Sequence, residues 1–239
     1  MKQEIIRIDL GKVNCYLGKT EEGFVLFDTG GNITLEKEYN NRREELVRRL
    51  KEAGCVPGKL RAIVLTHGDM DHITNAAYLR EQYGTVITMH KDDIDLVDNV
   101  SLNKLMETFH YRSILLQIIS GFFKKQLTRM TQRDLKNLTQ FKPDFYLKDG
   151  DELTQFGFAG EILHIPGHTK GSIGILCEGG ELIAGDIFAN MKKPSKAPNA
   201  IDFKQMEKSI DKLKQKAITT IYPGHGNPFQ AAELGFLNR

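Results

Sequence analysis

The sequence predicts an α/β (α+β) fold of four layers, αββα: two packed mixed β-sheets with helices outside. Three observations lead there. Two stretches of short β-rich runs, from Glu4 to Asp28 and from Phe145 to Phe188, lie on either side of a segment that includes a helical insertion with no strand signal. Between them RAIVLT, a continuous apolar run, is followed by TNAAYLREQYG, TVITMH and KDDIDLV, a helix–strand–helix rhythm. The chain has 239 residues, 40% of them hydrophobic, which is enough for a sizeable core within one layered domain. The expectation is one domain over 1–239 with a helical insertion at about 101–141.

The elements follow in order. EIIRIDL, VNCYLGK and GFVLFDTG, broken at Gly11 and at Glu21-Glu22-Gly23, read as an antiparallel meander. Tyr39, Leu46, Val47 and Leu50 share one face of a helix from about Leu35 to Ala53, with Thr34 as N-cap and Gly54 past the end. In the insertion Leu102, Leu105, Met106 and Phe109 hold helical spacing, and SILLQIISGFF and KKQLTRM follow with no strand signal. A bilayer needs about 20 apolar residues, and Gln117, Ser120 and Gly121 interrupt this run, so no membrane span is expected. FYLKDGDEL, GEILHIPG, SIGILCEGG and ELIAGDIF predict a second meander. A helix from Phe203 to Lys216 and the strand AITTIYPGHG finish the chain.

Composition narrows the function. Thirty-three basic against 31 acidic residues, a formal charge of +2, are too balanced to argue for nucleic acid or an anionic membrane as the main partner and say nothing about the substrate, which is expected to be a small molecule. Glu4, Arg7 and Asp9 interrupt the apolar N-terminal residues, which read as a strand and not as a signal peptide. Cys15, Cys55 and Cys177 are odd in number and far apart, which fits a reducing compartment and a cytoplasmic protein. No GxGxxG or Walker pattern is present, so Gly30, Gly31, Gly167 and Gly224 read as turn formers.

Chemistry concentrates in LTHGDMDH, residues 65–72, which holds His67, Asp69, Asp71 and His72. Imidazoles and carboxylates are the usual ligands of transition metals. The alternative is a polar turn in which Asp69 or Asp71 caps the next helix and Asn75 supports the turn. Asp28 in FDTGG, His168 in IPGHTKGS, Asp186 in IAGDIF and His225 in YPGHG also lie where strand runs meet glycine-rich turns. Loops at one edge of a rigid sheet are where functional groups collect. His90, His110 and His164 stand outside this series and read as hydrogen-bonded surface or core residues.

Ordered in this way, the motifs resemble the metallo-β-lactamase fold superfamily, whose marker is HxHxDH; the match runs from Asp28 to His225, and NCYLG at 14–18 is similar to the second strand of glyoxalase II-like members. The resemblance implies that His67, Asp69 and His168 bind one metal and Asp71, His72 and His225 a second, with Asp186 bridging. Asp28 would orient the motif loop from behind. Two divalent ions about 3.5–4 Å apart activate water as hydroxide against an ester, lactone, thioester or similar electrophile, and Asp71 would relay a proton to the leaving group. Asp69 stands where the family usually has histidine. Zinc is the first expectation for the metal, and this carboxylate also admits iron or manganese. The glutathione-binding C-terminal domain of glyoxalase II, the inserted domain of the nucleases and the flavodoxin domain of the flavodiiron enzymes have no counterpart in these residues. The rivals to a hydrolase are a diiron oxidoreductase-like protein and a non-enzymatic metal-binding protein. The insertion is expected to form a lid accepting an apolar part of the substrate; a homodimer surface and a membrane-surface contact are its other uses.

Overall fold

Strand alternation sorts the apolar residues into three layers. In the computed structural model, which describes residues 3–236 and so leaves the ends of the expected 1–239 span outside the described residues, β3 (Gly23–Phe27) turns Val25 and Phe27 to one side and Leu26 to the other. The first sheet runs β1 (Glu4–Asp9), β2 (Asn14–Thr20), β3, β4 (Leu60–Val64), β5 (Val86–His90) and β6 (Phe145–Leu147). Its first three strands are antiparallel and the rest parallel to their neighbours, so the sheet is mixed. The second has β7 (Gly160–His164), β8 (Ile173–Cys177), β9 (Glu181–Asn190), β11 (Thr220–Gly226) and β12 (Phe229–Gln230) side by side, with β10 (Ser195–Lys196) on β9. Only β9 and β11 pair in parallel there.

Val25, Phe27, Ala62 and Val64 meet Phe158, Ile162, Ile175 and Ile183 between the sheets, and Phe27 and Phe158 pack edge-on with centroids 5.0 Å apart. On the outer face of the first sheet Leu26, Ile63 and Ile87 pack on Leu46 and Leu50 of α1 (Arg43–Glu52) and on Leu79 of α3 (Ala76–Tyr83). Leu163, Leu182 and Ala184 pack on Met206, Ile210 and Leu213 of α7 (Phe203–Leu213). Three apolar seams thus hold four layers. Strands covered on both faces lose their polar alternation, which is why RAIVLT reads as a continuous run.

Two expectations are corrected. The first helix starts at Arg43, not Leu35, and Thr34 caps nothing. Arg42, at φ 56°, sends its buried guanidinium to the carbonyls of Leu10 and Gly31 and to the Glu36 carboxylate, and the chain from 34 to 41 wraps around it. KDDIDLV is helical as expected, in the tighter 3-10 form over Lys91–Leu96, with Asp93 facing inward. Phe145–Leu147 pairs with β5 at the edge of the first sheet instead of opening the second meander. Asp144 pins it there, since its N–H donates to the Ile87 carbonyl and its carboxylate accepts from the Ile87 N–H, both at 2.8 Å.

The insertion is helical: α4 (Leu102–Glu107), α5 (Ile114–Phe122) and α6 (Lys124–Asn137). Among the described residues no helix is long and apolar enough to cross a membrane. All three cysteines are buried with free thiols, and burial pushes Cys55 and Cys177 up to about 12, which makes them inert at neutral pH.

Candidate metal centre

The strand ends carry the polar residues to one place. Asp28 follows β3, His67 follows β4 by two residues, His168 lies in the turn between β7 and β8, and Asp186 and His225 sit within β9 and β11. A one-turn helix, α2 (Met70–Ile73), presents Asp71 and His72. Asp69 occupies the backbone cap position of α2, but its side chain makes no cap hydrogen bond. The carboxylate turns instead to His168, Oδ2 to Nε2 at 3.1 Å, which overturns the capping reading for this residue.

Asp186 lies at the middle. Its Oδ2 is 3.9 Å from His67 Nε2, 3.7 Å from His168 Nε2 and 3.0 Å from His225 Nε2, and its Oδ1 is 3.5 Å from His72 Nε2. Asp71 Oδ2 lies 3.4 Å from His225 Nε2 and 3.9 Å from His72 Nε2. Two triads result, His67–Asp69–His168 and Asp71–His72–His225, with the potential ligand atoms of each within 4.8 Å of one another. Gly224 leaves room for them, because a Cβ there would stand 2.0 Å from Asp186 Oδ1 and 2.7 Å from the His72 ring.

Every imidazole in this group is anchored through Nδ1. His72 Nδ1–H donates to Asp28 Oδ2 at 2.8 Å, His168 to the Asn199 carbonyl at 3.1 Å and His225 to the Lys12 carbonyl at 2.6 Å. The Thr66 hydroxyl donates to Asp28 Oδ2 at 2.7 Å and accepts from His67 Nδ1–H at 2.9 Å; the Thr66 N–H donates to Asp28 Oδ1. Each Nδ1 therefore holds a proton, and each Nε2 faces inward, free to offer its lone pair to a metal once any proton on it is displaced. His67 Nε2, Asp69 Oδ1, His72 Nε2 and Asp186 Oδ1 are buried without a hydrogen-bond partner. Orphaned acceptors at such density are costly, and a cation placed among them would satisfy them, so the residues fit bound metal.

Electrostatics agree with that need. Burial, then His72, pushes His67 down to about 3. Burial also works against a proton on His168 and His225, yet the Asp69 carboxylate raises His168 to about 9 and Asp186 raises His225 to about 9. In the absence of metal, protons on these rings balance the carboxylates. Burial pushes the Asp71 carboxyl above the usual range, with His72 and His225 opposing it.

Sequence reasoning named Asp28 and Asn75 as supports but overlooked Asp93, Asn14 and Tyr16. Asp93, 1% exposed, accepts from the Gly68 N–H at 2.9 Å, the Thr169 hydroxyl at 2.7 Å and the Gly171 N–H at 2.6 Å. It ties the His67–Asp69 loop to the His168 loop. A Cβ on Gly171 would come within 2.8 Å of the Asp93 backbone, so this close approach requires glycine. Asn14 and Tyr16 of β2 both donate to the Pro223 carbonyl, at 2.9 and 2.6 Å, and hold the turn before His225. The Asn75 amide donates to the carbonyls of Thr29 and Asn41 and holds the Asp28 turn against α3. His90 and His164 lie apart and stack at 3.9 Å, while His110 packs near Phe203.

A cleft of about 380 Å³ opens over the centre; Asp69, Asp71, Asp186 and His225 form its polar side, and Leu105 and Phe109 of the insertion face them. Comparison with known proteins places this geometry. The chain is 29% identical over 181 residues to the hydroxyacylglutathione hydrolase GloC of Haemophilus influenzae, a match covering 74% of this chain and 66% of that protein, just under two thirds of its length. It is 30% identical over 208 residues to the probable metallo-hydrolase MJ0888 of Methanocaldococcus jannaschii, covering 84% and 82%. Among solved structures it is similar to TTHA1623 in a di-iron-bound form, at 25% identity and a TM-score of 0.61, covering 95% of this chain and 94% of that one. The profile of the metallo-beta-lactamase superfamily matches residues 8–225, which takes in all eight residues of the centre and the loop that orients them, and the chain belongs to that superfamily.

Proposed function

We propose that the chain is a binuclear metal-dependent hydrolase of a small ester, lactone, thioester or similar substrate. The observation that carries this reading is the pair of triads sharing Asp186, with buried Nε2 and carboxylate oxygens left unpartnered at their meeting point. His67, Asp69 and His168 would hold one divalent ion, and Asp71, His72 and His225 the other, with Asp186 common to both. Asp28 sets the orientation of His72 directly and of His67 through Thr66. When bound, such ions polarise the electrophile and lower the pKa of water enough to make a nucleophile at neutral pH.

The chain's own side chains do the rest. Asp71 lines the cleft, and its carboxylate, beside the place where the reacting group would sit, would relay a proton to the leaving group. Leu105, Phe109 and Tyr111 form an apolar wall that accepts the non-reacting part of the substrate. Leu35 and Tyr111 also line a second groove, of about 420 Å³, between α5 and α6, so that part has room to extend.

The four imidazoles suit zinc, while the Asp69 carboxylate adds a hard oxygen that suits iron or manganese. That carboxylate, together with the di-iron form of TTHA1623, favours one second reading, an iron-dependent redox protein. Elemental analysis of the purified protein, with lactone, thioester and phosphodiester substrates, separates the two. A thioester belongs on the panel because one relative is named a hydroxyacylglutathione hydrolase. Turnover of any of them at two ions per chain supports the hydrolase; iron with a visible band and oxygen consumption supports redox chemistry; bound metal with neither activity contradicts both.

A further inference from the structure

We propose that the outer face of α5 docks the protein on an anionic lipid surface. Ile114, Leu115, Ile118 and Phe122 recur at helical spacing on one side of this helix and are 74, 66, 52 and 84% exposed. Leu116, Ile119 and Phe123 lie on the side that lines the groove toward the cleft. The groove side has a role in the proposed function; the outer side has none. A helix of a globular protein normally buries one apolar stripe, and α5 has no buried residue at all. Contiguous exposed apolar surface of this kind marks a partner or a membrane.

Charge selects the occupant. The chain as a whole is balanced, but from Thr108 to Arg133 there is no acidic residue, while Arg112, Lys124, Lys125, Arg129 and Arg133 all fall there. Arg112 pairs with Glu207 and Arg133 with Asp134. Lys124, Lys125 and Arg129 are exposed and, among the described residues, pair with no carboxylate. Lys125 and Arg129 lie on the side of α6 away from its buried Leu127 and Thr131, and Lys124 follows the apolar end of α5 after a single residue. An apolar helix face beside unpaired cations is the pattern of a helix lying in the headgroup layer, with the lysines reaching anionic phosphates. A second copy fits less well, because a two-fold contact through this face would bring two uncompensated basic clusters together. Docking would set the groove, and through it the cleft, beside a source of amphiphilic molecules.

The test uses the purified full chain and co-sedimentation with two kinds of vesicle, phosphatidylcholine alone and an equal mixture of phosphatidylcholine and phosphatidylglycerol. The expected result is binding to the mixed vesicles about tenfold or more tighter than to the neutral ones, weakening as salt is raised. Phe122→Glu with Ile118→Glu should abolish binding, and Lys124→Glu with Lys125→Glu should remove the preference for anionic lipid. Circular dichroism and sedimentation velocity on each variant report whether the fold is kept. No binding to either vesicle, equal binding to both, or a solution dimer dissolved by Phe122→Glu would overturn the proposal. Vesicle binding needs neither metal nor substrate, so its failure is distinguishable from failure of the hydrolase reading.

Discussion

The metal-loop edge and the helical insertion obey opposite rules within one chain. At the edge each functional ring is held by a bond to its Nδ1, those of His67, His72 and His168 also by burial, and the holders are themselves held: Asp28 by Thr66, and the two loops by Asp93. In α5 apolar side chains face solvent and no residue is buried. The difference teaches where each region is specified. The edge is determined by the interior of this protein, so small changes there have large effects; the outer face of α5 is specified by something the chain does not contain.

Substitutions can break or sharpen that contrast. If the proposed hydrolase reading holds, Asp186→Ala, at the centre of both triads, should lower kcat/KM on any substrate the panel identifies by about a thousandfold or more, because several kcal/mol of transition-state stabilisation would pass through the bound metal. The pH dependence comes next. His168 and His225 are raised from 6.5 to about 9 in the metal-free protein, so metal must displace their protons. Metal affinity measured by competition with a chelator should therefore rise with pH up to about 9, by about tenfold per pH unit for each proton displaced. In the metal-free protein the sign reverses. The stabilisation from these two rings is fully present below 6.5 and is lost as pH rises through about 9, so urea midpoints should fall across that window.

Supports come third. Asp28→Asn should weaken metal binding by about 10–100-fold with the fold intact, as substitutions behind a ligand do. Asp93→Ala strands the Gly68 and Gly171 N–H groups and should cost about 1–3 kcal/mol in urea denaturation. Smallest of all, Ile118→Ser on the outer face of α5 should leave unfolding within about 0.5 kcal/mol of wild type and hydrolysis in solution unchanged. A large loss there would put the face inside the core and erase the contrast.

The same division explains what the sequence reveals. His67, Asp69, Asp71, His72, His168, Asp186 and His225 stand out because each is a polar residue beside a glycine-rich turn at a strand end, a local pattern. Asp93 does not, because its partners Gly68 and Thr169 are 25 and 76 residues away and KDDIDLV has the spacing of an ordinary helix. The late start of α1 is hidden in the same way, since Arg42 reaches back to Leu10 and Gly31. Strand alternation tells which seam a residue fills but not which sheet a short strand joins, and Phe145–Leu147 was drawn to the first sheet by Asp144. The one-sided charge of residues 108–133 is legible locally in KKQLTRM, although the balanced charge of the whole chain does not reveal it.

Asp69 is where these arguments meet, because it sits at a cap position, does not cap, and faces His168. The most direct measurement is calorimetric titration of metal-stripped wild-type protein and Asp69→Ala with zinc, manganese and anaerobic ferrous iron. The account predicts two ions per chain in the wild type for the metal it uses, and loss or marked weakening of one of them in Asp69→Ala while the other is kept. A single ion in the wild type, or two ions with unchanged affinity in Asp69→Ala, would contradict it.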